Sequence, residues 1–255
     1  MDPEPIPVRL TERGERAPDQ PSVQCRTCGA GAPVDEHFCP QCSRILALGR
    51  HGDYFTFFGL PRRLVIDLRD LEQRFRDLSR RFHPDYFYNA STAERLASLE
   101  RSSYLNDAYR ALRSPISRIE HLLAIEGLPA ATSASPSTGS AGADSKVPPS
   151  LLEDVFALNE ELDEIRELRE SGADSATLRV RLESSRAPIE RRRDDHERRL
   201  EELMMRWDSQ AGDPSGDLRA TLAALREQLL ERNYINNLLA TIDREMAALA
   251  ASAEA

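Results

Sequence analysis

The chain has 255 residues, 40% of them hydrophobic and 30% charged, which suits one or two small domains and not a single large core. Its formal net charge of −9 argues against nonspecific binding to nucleic acid or to an anionic membrane, and no apolar run approaches the roughly 20 residues that span a bilayer. Only 6% of residues are aromatic, and Leu, Ala, Glu and Arg dominate, a mixture that favours helices because these side chains lose little rotamer freedom there.

Residues 1–21 are charged and rich in Pro, the composition of a disordered tail. Asp2, Glu4, Glu12, Glu15 and Asp19, with no apolar stretch beside them, fit neither a secretory signal nor an acid-poor transit peptide, so a soluble protein of a reducing compartment is expected. Residues 22–50 form a small module with all four cysteines, as Cys25-Arg-Thr-Cys28 and Cys39-Pro-Gln-Cys42. A two-residue spacing lets both thiolates of a pair face one ion, and Gly29 permits a tight turn after the first pair. Four thiolates suit a closed, structural tetrahedral zinc site, with iron the minor option for this ligand set. So small a segment has almost no core, and the metal would supply most of its folding free energy. Two disulfides or free thiols are the competing readings. His37 is read as a bystander, since four cysteines fill the site.

Residues 51–128 alternate helical stripes with breakers. Asp53-Tyr-Phe-Thr-Phe-Phe-Gly-Leu-Pro is a short apolar segment with a Gly and Pro stop. Leu68, Leu71, Phe75, Leu78 and Phe82 then step by three and four, one buried face of a helix. That helix ends at His83-Pro84-Asp85, because proline disfavours helical geometry at the residue before it; the tripeptide is therefore expected on an exposed loop. Arg74, Arg76, Arg80 and Arg81 precede the loop with Asp77 as the one acid among them, a local positive patch. A second helix from about Ser91 offers Leu96, Leu99, Ala108, Tyr109 and Leu112 for packing, with Asn106 expected to bond a buried backbone group. Pro115 starts a short helix with Ile116, Ile119, Leu122 and Leu123.

Residues 129–150 are small, polar and Pro-rich, a flexible linker. Three long stripes follow over 151–252 and predict an antiparallel three-helix bundle. The first is Leu151, Val155, Leu158, Leu162 and Ile165; the second is Leu178, Leu182, Ile189, Leu200, Leu203 and Trp207, with His196 half-buried and Pro188 as a kink or break; the third runs from Leu218 to Leu249. Leu152 and Phe156 fall off the first stripe by one position, about 100° around the helix, and Glu160 continues their row. Tyr234 and Leu238 are offset similarly on the last helix. Large apolar residues off a core face form a rim or a binding patch.

His83-Pro84-Asp85 after DYFTFFGL and before LNDAYRALRSP resembles the J-domain of the DnaJ superfamily. With LLEDVFALNEELDEI and the helical bundle behind it, the chain from 53 to about 250 is similar to the HscB family of co-chaperones for iron–sulfur cluster assembly, and the cysteine module resembles the zinc knuckles of that family's mitochondrial members. Glu153 and Ala157 depart from the family pattern. The resemblance implies an all-α fold, a J-domain helical hairpin plus a C-terminal three-helix bundle preceded by a four-cysteine zinc module. It implies that His83, Pro84, Asp85 and the four arginines dock on a DnaK/HscA-type chaperone and trigger its ATPase. It also implies that Leu152, Phe156, Glu160 and Tyr234 grip an IscU-type scaffold. Cys25, Cys28, Cys39 and Cys42 would hold structural zinc. No nucleic acid and no membrane is expected as a partner, and the location implied is bacterial cytoplasm or, alternatively, mitochondrial matrix. An enzyme is not expected: His83 and Asp85 flank a proline, and no framed serine, reactive cysteine or phosphate loop completes a site. A general J-protein for misfolded clients is the other reading, disfavoured by the lack of a Gly/Phe-rich segment.

Overall fold

The structure, a computed structural model, describes residues 22–33, 35–48, 53–128, 149–211 and 217–253. The expected tail and all but the last two residues of the expected linker lie outside them. Seven α-helices are present among the described residues, and each of the first four is started by a local signal. Asp53 caps α1 (Tyr54–Phe57) by accepting from the amides of Phe55 and Thr56. Asp67 accepts from the Arg69 amide at 2.8 Å ahead of α2 (Leu68–Phe82). Ser91 and Glu94 form a reciprocal capping box on α3 (Thr92–Arg113): Glu94 N–H donates to Ser91 Oγ at 3.3 Å, and Ser91 N–H donates to the Glu94 carboxylate at 3.1 Å. Ser114, followed by Pro115, opens α4 (Pro115–Ile125).

Two compact units result. The first joins the four-cysteine module to the far half of the α2–α3 hairpin, Leu78–Leu105. In it a two-stranded antiparallel ribbon, β1 (Ser22–Gln24) and β2 (Gly31–Pro33), precedes the second cysteine pair. The inner face of α3 here is Ala97, Ser98, Arg101 and Leu105, all buried. Leu96 and Leu99, expected to pack inward, are instead 51% and 55% exposed. Their leucines suggested one phase of the helix; the hydrogen bonds of Ser98 and Arg101 select another, because a buried polar group that is satisfied can hold an inner position.

The second unit contains α1, the start of α2, the end of α3, α4 and the C-terminal helices α5 (Leu152–Glu170), α6 (Ser175–Gln210) and α7 (Leu218–Ala253). Leu71 is buried as expected and Phe75 stacks on Tyr109 with ring centroids 4.3 Å apart. Leu68 corrects the expected stripe: it is 50% exposed and borders a groove with Val65, Ile116 and Met205. Asn106, expected to satisfy a buried backbone group, is exposed on α3.

The bundle is antiparallel, since the first half of α6 shares a core with the second half of α7 and the reverse holds at the other end. Helices α6 and α7 each have 36 residues but α5 has only 19. Leu158, Leu162 and Ile165 of α5 therefore cover one half of the pair. The other half is covered by Ile119, Leu122 and Leu123 of α4 and by Leu64 of the α1–α2 loop. Polar bonds fasten this second seam: Asp208 of α6 accepts from the amides of Leu64 and Val65 at 2.7 and 2.8 Å, and Trp207 Nε1–H donates to the Arg62 carbonyl at 3.2 Å. Arg118, 3% exposed, donates to the carbonyls of Leu112 (2.7 Å) and Leu64, closing the hairpin base, and burial lowers its pKa to about 10. Helix α6 runs through Pro188 without a break, with Leu182 and Ile189 buried on either side of it. His196 is fully buried and not half-buried, its Nε2 lying 2.8 Å from the Gln228 carbonyl.

Candidate functional site

The four cysteines form the first site. Each pair is a knuckle closed by its own backbone: the Gly29 amide donates to the Cys25 carbonyl and the Ser43 amide to the Cys39 carbonyl, both at 2.8 Å. Gly29 (φ 74°) and Ser43 (φ 57°) take the left-handed conformation that turns each knuckle; the sequence signals only the glycine. The four sulfurs lie within 4.8 Å of one another, with Cys25–Cys42 and Cys28–Cys39 each 3.6 Å apart. That is well beyond a disulfide, where the sulfurs are about 2.05 Å apart, and the cysteines are free. It is close to the edge of a tetrahedron of thiolates, about 3.8 Å for a metal–sulfur distance near 2.3 Å. The backbone amides of Cys28 and Thr27 lower the Cys25 thiol to about 6. The Arg44 amide also lowers Cys42, but burial and the three neighbouring thiols outweigh it and push Cys42 up to about 12. Four thiols this close cannot all ionise alone, and a divalent cation is the group that lets them. The donor set can hold one metal ion, whose chemistry here is cross-linking the two knuckles.

The second site is the turn after α2. His83 is exposed, and Pro84–Phe87 form a 3-10 turn that its ring helps to start, with Nδ1 accepting from the Asp85 amide at 3.4 Å. The Asp85 side chain is 88% exposed, so its carboxylate is offered to solvent. Arg74, Arg76 and Arg81 of the expected positive patch make contacts of their own. Arg74 is half-buried and structural: it donates to Asp70 at 2.9 Å and to the Phe58 carbonyl at 3.1 Å. Arg76 is paired with Glu72 at 2.5 Å, one turn earlier. Arg81 lies over the Phe38 ring, 4.5 Å from its centroid. The acids that pair with Arg74 and Arg76, Asp70 and Glu72, stand one turn N-terminal to them, outside the stretch between Arg74 and the turn. Arg80 is exposed.

The third site is the start of α5. Leu152 is 39% and Phe156 67% exposed, and Glu160 is exposed in the same row. The row is held firmly from behind. Leu151 is fully buried, Arg192 of α6 donates to the Ser150 carbonyl at 2.5 Å, and the same guanidinium pairs at 3.4 Å with Glu231 of α7, itself 3% exposed. Tyr234 and Leu238 are half-buried and pack against the bundle core, a rim position.

No protein-family model matches the sequence. Among solved structures, that of human co-chaperone protein HscB superposes with a TM-score of 0.58 at 24% identity, over 88% of this chain and 98% of the other. The chain has the HscB fold. A chaperone HscB from Vibrio cholerae aligns at 24% identity over 77% of this chain and 99% of the other, with a TM-score of 0.47.

Within the HscB fold as this chain builds it, several residues that make long-range bonds carry no sequence signal. Asp208 and Arg118 look like solvated helix charges in sequence, yet they fasten the α1–α2 loop. His121 was one more polar residue of α4, yet its Nε2 accepts from the Tyr54 amide at 3.0 Å and its ring stacks on Tyr54. His37, read as a bystander, lies 2.8 Å through Nδ1 from Arg101 Nη1.

Proposed function

We propose that the chain is a J-domain co-chaperone that stimulates the ATPase of a DnaK/HscA-type chaperone and delivers to it an IscU-type scaffold of iron–sulfur cluster assembly. The observation that carries this is an exposed His83-Pro84-Asp85 turn at the end of an amphipathic helix, in a chain with the HscB fold. The chemistry of the turn is recognition. Pro84 restricts the backbone, Asp85 offers both carboxylate oxygens to a guanidinium of the partner, and the His83 ring edge presents a polar contact beside it. Arg76, Arg80 and Arg81 border it with positive charge.

The scaffold is held at the start of α5. Phe156 is the anchor, Leu152 its apolar neighbour and Glu160 the polar rim, with the half-buried Tyr234 a further contact. The metal module holds one zinc ion in Cys25, Cys28, Cys39 and Cys42, a structural role. Bacterial cytoplasm is the location that fits this reading, with mitochondrial matrix the alternative.

The test is His83→Gln. The side chain is exposed and touches no core residue, so circular dichroism and melting should match the parent chain. Stimulation of the chaperone ATPase should be lost. Stimulation at the parent level would overturn the reading.

A further inference from the structure

The residues between the cysteine module and the His83-Pro84-Asp85 turn form one packed cluster in the first unit. His37 and Phe38 stand immediately before Cys39, and both rings lie on Phe82, the residue before His83. His37 meets it edge-on with centroids 5.0 Å apart and Phe38 stacks at 6.0 Å. Arg81, next to Phe82, covers Phe38 from the other direction. Arg101 of α3, 3% exposed, spans the module: Nε donates to the Leu46 carbonyl at 2.7 Å and Nη2 to the Ala47 carbonyl at 3.2 Å, while Nη1 meets His37. The carbonyl of Phe82 accepts from the hydroxyls of Ser98 at 2.6 Å and Ser102 at 3.1 Å. Phe38 and Ile45 also pair as an antiparallel bridge across the second knuckle.

Neither neighbouring task calls for this cluster. The knuckles close through their own backbone bonds, and Pro84 suffices to end α2. What the cluster adds is a direct tie from Cys39 through Phe38 to Phe82 and thence to His83. We propose that the metal-bound cysteine module is a splint for the chaperone-binding turn. With the ion in place, His37, Phe38 and Arg101 are positioning residues that hold Phe82 and Arg81, and so hold His83–Asp85 in the pose the partner reads. The proposal rests on the reading of that turn as the trigger for a chaperone ATPase.

The physical reason is preorganisation. A turn that is ordered before docking does not have to be ordered on docking, and the population of competent turns multiplies the apparent affinity. A module this small is ordered chiefly by its metal. Removing the ion should therefore loosen Phe38 and, through it, the last turn of α2.

The experiment uses the full chain, isotope-labelled, with backbone amide signals of Phe82–Ala90 as the first readout and ATPase stimulation as the second. A strong chelator should shift and broaden those signals and lower stimulation about fivefold or more, within the usual range for coupled sites. Signals of α6 and α7 should stay in place. Phe38→Ala should keep its ion by elemental analysis and still reproduce both effects, and Phe38→Tyr, which keeps the ring, should restore them. A metal-loaded Phe38→Ala whose turn signals and stimulation equal the parent's overturns the proposal. Should Phe38→Ala shed its ion, the chelated parent chain decides: turn signals indifferent to metal removal overturn it equally. A parent chain that stimulates no chaperone ATPase sinks the co-chaperone reading instead, and the amide signals still report whether the splint exists.

Discussion

Phe156→Ala separates a binding role from a packing role more cleanly than any other change in the bundle. Its side chain is 67% exposed, so only about a third of its surface can lose burial. Full burial of a Phe is worth about 1.5–3 kcal/mol, which limits the cost of truncation to about 1 kcal/mol. Leu152, 39% exposed, contributes more to packing and is the less clean probe. Leu162 on the neighbouring stripe is 2% exposed, and Leu→Ala there should cost about 2–5 kcal/mol. If Phe156 anchors a scaffold protein, its truncation should weaken binding by about 2 kcal/mol, roughly thirtyfold in Kd. Calorimetric titration of an IscU-type scaffold into each variant, beside chemical denaturation of each, reads both quantities. Phe156→Ala should bind weakly and melt normally, whereas Leu162→Ala should melt early and, while folded, bind normally. Unchanged scaffold affinity in Phe156→Ala would show that the exposed row on α5 is not the binding surface.

Two further outcomes are expected. Purified chain should carry about one zinc per molecule by elemental analysis, and Cys39→Ser should lose it while α5, α6 and α7 keep their helical signal; a metal-free parent chain would refute the four-thiolate site, whose apparent binding free energy should be about 10 kcal/mol or more. Burial, with the Arg62 charge, holds His121 below its ordinary pKa, partly offset by Asp53. A folded pKa below the unfolded value near 6.5 means that the folded chain binds fewer protons; the stabilisation is present above about pH 6.5 and is lost as pH falls through the lowered value. Melting temperature should accordingly drop, as pH falls below about 6.5, more steeply in the parent than in His121→Phe, and equal slopes would remove His121 from the account.

The elements of this protein were legible in sequence because each is written locally. Pro84 ends α2 through a one-residue steric effect, a second helix is legible from about Ser91, and the leucines of α5 to α7 repeat with the helical period. The cysteine spacing and the off-stripe position of Phe156 are equally local, and the structure places four sulfurs together and Phe156 in solvent. What tertiary structure alone decided are the positions where one residue meets another far along the chain. Periodicity gives a helix several possible phases, and α3 turned Leu96 and Leu99 outward because Ser98 and Arg101 found carbonyl partners within. Arg74 became structural for the same kind of reason. That α4 and Leu64, rather than a longer α5, complete the core of α6 and α7 depends on Asp208 and Trp207 meeting a loop more than 140 positions away. Hydrogen bonds of that reach have no period, so nothing in the linear pattern marks them.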